Sequence, residues 1–227
     1  MPASQIRVVG WIGLATVICF VAGFAVDPLP PGAGSTAAQY ASHAVQFSAA
    51  DRAAGFLFAL SATGLVVLIA GLRQWLLDIS PAPRWWGTAM LAGAILAAMM
   101  LLIGAVGFFA TGAHPPANND TAAFLGDELN YTFIFAGFGA LVLLVFASAS
   151  LLVMFGPLQL LGRVGVVIAA LQVPYLLTAF FTSGPLQAGS IISIIGFGAA
   201  GVFVLLLSVT LLVFARLMAA AGAPRHQ

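Results

Sequence analysis

Lysine is missing from this 227-residue chain, and all seven of its cations are arginine. A Schiff base to retinal or pyridoxal needs a lysine amine, and a phosphate-binding P-loop needs its lysine too, so both chemistries are excluded. Charge of either sign is scarce: Asp, Glu, Lys and Arg make up 6% of the residues, and the net charge is +1. A soluble domain carries about 25% charged residues. A surface this poor in charge is not held in water, and it offers no basic field to nucleic acid.

Cysteine is limited to Cys19, inside an apolar run. That rules out an internal disulfide and any thiolate metal centre, and a thiol in apolar surroundings is normally inert. The long apolar runs contain no histidine, which excludes bis-histidine haem ligation within a membrane. The same gap leaves Ser183 without the base of a rhomboid-like Ser/His pair. No HExxH motif exists to support a zinc protease. No cofactor and no metal are expected.

The chain does have apolar length. Crossing about 30 Å of hydrocarbon takes roughly 20 helical residues, and six stretches qualify: 8–26, 53–72, 86–110, 129–155, 164–182 and 190–215. Every Arg, Asp and Glu falls outside them, as expected when a charge at the bilayer centre costs several kcal/mol. The runs are continuously apolar rather than alternating, which excludes a transmembrane β-barrel. The first run is too long for the 7–15-residue core of a signal peptide. The predicted fold is an all-α membrane protein: a single transmembrane domain over 1–227, built as a six-helix bundle of three hairpins.

Arg7, Arg73, Arg84, Arg163, Arg216 and Arg225 fall in segments that six spans place on one side, whereas Arg52 falls on the other. Asp27, Asp51, Asp120, Asp127 and Glu128 join Arg52. The positive-inside rule puts both termini in the cytoplasm, and the composition suggests a bacterial plasma membrane. Trp11, Trp75, Trp85 and Trp86 all lie beside inner arginines, where the headgroup level suits an indole ring.

On the outer side, Asp27-Pro28-Leu29-Pro30-Pro31-Gly32 is a turn-rich opening. A short helix over 35–47, with Tyr40, Ala44 and Phe47 on one face, suits the interface plane. Ser48-Ala49-Ala50-Asp51 matches a capping box just ahead of the second span, and Asp120 is a good N-cap for the fourth. Gly55/Ala59, Gly93/Ala97 and Gly196/Ala200 have the four-residue spacing that brings helices close. They read as contacts inside the bundle, with the 196–201 stretch as the candidate face for self-association.

Two constellations can carry chemistry. The first is an outer polar cluster in which Asp127, Glu128 and Tyr131 face Arg52, an anionic mouth with one cation poised for a charge-assisted pair. Its plain alternative is solvated loop charge plus acids that favour a helix start. His43 and His114 lie on the same side without ligand spacing. The second is mid-membrane: Gln172 and Tyr175 share a face of the fifth span, and Pro174 frees the carbonyl of Ala170. Polar groups at this depth mark either a ligand pocket or interhelical hydrogen-bond glue.

The opening Arg7-Val8-Val9-Gly10-Trp11-Ile12-Gly13, the turn-rich loop before Ala53-Ala54-Gly55-Phe56, the exit Gly71-Leu72-Arg73 and the segment Leu161-Gly162-Arg163-Val164-Gly165 resemble a group of small six-helix membrane proteins of Actinobacteria classed as a domain of unknown function. The resemblance implies a six-helix layout and no catalytic residues.

Two function classes stand. One is a non-enzymatic protein that binds or moves a small or lipophilic ligand past Gln172, Tyr175 and the outer acids. The other is an accessory subunit of a larger membrane complex. An enzyme with a periplasmic carboxylate site is a third, lesser option. The expected partners are the lipid bilayer, a small-molecule or lipid ligand, and a membrane-protein partner; nucleic acid is not among them. A reporter that matures only outside the cytoplasm, fused after Gln227, should stay dark, while a cytoplasmic reporter at the same place should be active. The opposite pattern would invert the orientation.

Overall fold

In the computed structural model the described residues are 1–27, 36–79, 84–113, 141, 143–153, 159–177 and 191–221. They form six helices: α1 Ala3–Val26, α2 Ala37–Ile79, α3 Arg84–Ala113, α4 Leu143–Val153, α5 Gln159–Leu177 and α6 Ile191–Ala221. Four of them, α1, α2, α3 and α6, contain stretches long and apolar enough to cross a membrane. The described parts of α4 and α5 are shorter.

The helices are apolar all round, so burial does not sort oily from polar faces. Val106 is 65% exposed and Leu160 is 76% exposed. Side chains of this kind left outward on every helix call for lipid around them, since lipid imposes no penalty on apolar surface. Inward, Phe58, Leu68, Leu72, Met90, Leu144 and Leu207 form one continuous core.

Glycine sets how close the helices come. A Cβ on Gly23 would lie 2.7 Å from the Phe58 ring, one on Gly64 would run into Thr16, and one on Gly71 would run into Val9. These pairings run α1 and α2 antiparallel. A Cβ on Gly55 would stand 2.8 Å from the Ala105 carbonyl oxygen, so α2 and α3 meet backbone to backbone. Gly93 lies against Leu144, Gly162 against Val153, and Gly165 against both Ala149 and Phe203. With α1 packed on α6 as well, the six helices close a circuit in which each touches its neighbours in sequence and the first touches the last.

The same pairings fix where the arginines lie. Gly87 abuts the Arg73 side chain, and Gly10 abuts Leu212 and Ser208. Arg7, Arg73, Arg84, Arg163 and Arg216 therefore gather at one end of the bundle. Asp78 lies at that end too. Its carboxylate accepts hydrogen bonds from the Met1 ammonium at 2.7 Å and the Gln74 amide at 2.9 Å. The ammonium first, and the amide with it, hold the carboxyl below its usual range.

Three expectations change. The outer helix foreseen over 35–47 is not a separate piece in the interface plane: α2 is continuous for 43 residues, about 64 Å at 1.5 Å per residue. Residues 37–54 contain neither Gly nor Pro, so nothing interrupts the backbone ladder. The helix start is therefore not Ser48. It lies at Thr36, whose hydroxyl accepts the Gln39 N–H at 3.3 Å while the Gln39 Oε1 accepts the Thr36 N–H at 2.7 Å, a reciprocal capping box. Tyr40, Ala41 and Ala44 are buried, so this stripe faces protein rather than lipid.

Trp75 also differs from expectation. It is 2% exposed and packs edge-on against Phe214 at 5.1 Å, whereas Trp11 and Trp85 stand more than half exposed. A position on the inner face of α2 outweighs the indole preference for headgroups. Arg225, Pro28–Pro31, His114, Asp120 and Ser183 lie outside the described residues.

Replacing Gly64 with Val should cost roughly 1–3 kcal/mol by overpacking against Thr16, read as an earlier midpoint in denaturant titration from detergent. Gly198→Ala, at a site where a Cβ meets nothing within 4 Å, should leave the midpoint unchanged or raise it. Equal losses in both variants would remove close approach as the organising contact.

Candidate functional site

A cleft of about 40 Å³ opens at the centre of the circuit. Its walls include Thr16 and Phe20 of α1, Ser61 of α2, Leu101 of α3, Leu141, and Gly201 of α6. Each of these falls near the middle of its expected span. Its existence depends on small residues. A Cβ on Gly201 would meet nothing within 4 Å among the described residues, and the adjoining Ala200 adds only a methyl group.

The cleft has few polar groups to offer. The Thr16 hydroxyl donates to the Ile12 carbonyl at 2.8 Å, back along its own helix. Ser208, one turn beyond the lining residue Val204, does the same to Val204 at 2.7 Å. Hydroxyls bonded to the i−4 carbonyl have spent their donor. A single water fits such a volume but needs two to four polar partners, so the chemistry of the walls favours hydrocarbon. Drug-sized ligands occupy about 300–1,000 Å³, so the cleft suits the end of a chain rather than a whole compact molecule.

Gln172 is fully buried between α5 and α6, and its Nε2 donates to the Gly196 carbonyl. The partner is a carbonyl, so the amide nitrogen has to face it. This leaves Oε1 buried and without a hydrogen bond among the described residues. Gln172 does not line the cleft; its amide joins two helices. Tyr175 lies on α5 three residues further along, its side chain outside the described set. Arg52 is exposed, and its Nε donates to the Ser48 carbonyl one turn back at 3.3 Å. Asp127, Glu128 and Tyr131 lie outside the described residues, as does any pairing of theirs with Arg52.

Residue-by-residue reading passed over Thr16 and Ser61, and gave Asp51 only a place among the outer acids and in a capping box. The signal for the first two was a lone hydroxyl in the middle of an apolar run. Asp51 is 4% exposed. It lies two residues ahead of the expected 53–72 span and opposite the last turns of α3, one turn before Gly55 meets Ala105 and Phe108. Burial pushes its carboxyl up from 3.8 to about 6, because low-dielectric surroundings disfavour the charged form.

No protein-family model matches the chain, and neither a curated protein nor a solved structure matches it. The class rests on composition and fold: an all-helical protein with helices suited to a membrane.

Asp51 gives stability a definite pH dependence. Its folded pKa lies above its unfolded one, so the folded state holds the proton more tightly and stability falls as pH rises from about 4 to about 6. Asp51→Asn should flatten that part of the curve and raise the unfolding midpoint at pH 8. Thermal melts in detergent across pH 4–8 test this; parallel curves for the two proteins would refute it.

Proposed function

We propose that the chain is a six-span integral protein of a bacterial plasma membrane, with both termini cytoplasmic, that binds a lipophilic ligand by taking its chain end into the midplane cleft. The observation that carries this reading is the cleft itself: an apolar recess at the depth where hydrocarbon chains end, left open by Ala200 and Gly201. The arginine-rich end of the bundle supports the orientation. Membership of the actinobacterial six-helix group belongs to the same proposal and rests on the sequence motifs alone.

Gln172 stands apart from the cleft: its Nε2 donates to the Gly196 carbonyl, and its Oε1 is buried without a hydrogen bond among the described residues. Interhelical hydrogen bonds of this type contribute about 0.6 kcal/mol on average.

A second reading, an accessory subunit, draws on a different observation. Gly198 leaves a notch on the exterior of α6, with Ile195 and Val202 exposed beside it at helical spacing. A partner helix approaches most closely at such a notch. Under this reading, extraction in a gentle detergent returns a second membrane protein with the chain, and Gly198→Leu releases it.

The cleft is tested with a diazirine-bearing fatty acid in vesicles that contain the protein. Labelling should concentrate on 16–20 and around Leu101. Ala200→Phe, which fills the recess, should reduce it about fivefold or more, on the scale of one lost apolar contact. Gln172→Leu should leave it within about twofold. Uniform labelling along the outer faces, unchanged in Ala200→Phe, would end the proposal.

A further inference from the structure

Arg73 lies one residue beyond the 53–72 span, at the arginine-rich end of the bundle. Its side chain lies across the first turn of α3: a Cβ on Gly87 would stand 3.1 Å from Arg73 Cγ and 3.3 Å from Nε. Glycine at 87 is what admits the guanidinium there. The Nε–H is buried and has no hydrogen-bond partner among the described residues. A buried donor left unmade is costly, and more so on a charged group; the side chain as a whole is only partly buried, so it is the terminal guanidinium nitrogens that an outside acceptor can reach.

The described protein does not provide one. Arg7, Arg73, Arg84, Arg163 and Arg216 gather at this end against a single described acid, Asp78, and both Asp78 oxygens are engaged, by the Met1 ammonium and by Gln74. Arg84 opens α3 and is exposed, level with the last turns of α2. Beside it, Trp85 and Trp86 stack at 4.1 Å between ring centres, with Trp85 59% exposed. Indole rings exposed in this way settle among lipid headgroups. The guanidinium fork matches phosphate oxygens in a planar, two-pronged contact that lysine does not make.

We propose that Arg73 and Arg84, at the inner end of the α2–α3 pair, bind the phosphate headgroup of an anionic phospholipid, with Trp85 beside its glycerol region. This rests on the protein being membrane-embedded and is separate from the midplane cleft. Lipid rather than free phosphate is the source, because the site lies at the headgroup level with the exposed apolar flank of α3 running away from it along the path of the acyl chains.

The test is native mass spectrometry of the full-length protein released from micelles containing phosphatidylglycerol or phosphatidylcholine. Phosphatidylglycerol should be retained about tenfold better, equivalent to roughly 1.4 kcal/mol. Arg73→Gln and Arg84→Gln should each cut that preference about threefold or more. Arg163→Gln, at the same end but on the α4–α5 side, should leave it intact. Arg84 is exposed, so Arg84→Gln reports on the site even where Arg73→Gln disturbs folding. Equal retention of the two lipids, an equal loss in Arg163→Gln, or displacement of the lipid by millimolar inorganic phosphate would overturn the proposal. Diazirine labelling of the cleft reads the midplane site independently, so either proposal can fail alone.

Discussion

Close approach of helix backbones at glycine is the contact on which this structure depends. In lipid, burying apolar surface gives little advantage over leaving it exposed, so helices associate through van der Waals contact and a few hydrogen bonds. Those forces fall off steeply with distance. The bundle gains them where a side chain is missing: Gly64 receives Thr16, Gly55 reaches the α3 backbone, and Gly162 meets Val153. The closed order of helices, the gathering of arginines at one end and the central recess follow from where those contacts fall.

The glycines do not all serve the same end. Gly13, Gly23 and Gly71 draw α1 against α2 and α6. Gly201 does the reverse: its missing side chain is filled by nothing, and a cleft remains. Gly87 clears a path for a cation. Composition alone does not separate these roles, because each depends on what the facing helix brings to the same level.

Polar groups within the bundle are few, and most are accounted for locally. Thr16 and Ser208 turn back on their own helices, and Gln172 bridges to α6. The Ser148 hydroxyl and the Gln172 Oε1 are buried without a hydrogen bond among the described residues, and two charged groups stand out beside them. Asp51 is buried toward the end of the bundle opposite the arginines, with its proton held more firmly. Arg73 is laid against α3 at the arginine-rich end with a donor unmet among the described residues. Both lie just beyond the ends of the expected 53–72 apolar run.

The sequence by itself determined the solvent and the number of apolar runs, because charge exclusion over about 20 residues is a one-dimensional property that needs no knowledge of neighbours. It also placed Gln172 in the interior and gathered the arginines by loop. It misjudged where α2 begins, since the Ser48 and Thr36 capping patterns look alike and only an unbroken 43-residue helix distinguishes them. Tertiary structure alone decided that Trp75 turns inward, that Gln172 donates to Gly196, and that Thr16, Ser61 and Gly201 share one recess. Those outcomes depend on the rotation and register of helices about one another, set by contacts between residues far apart in the chain, and no local pattern encodes them.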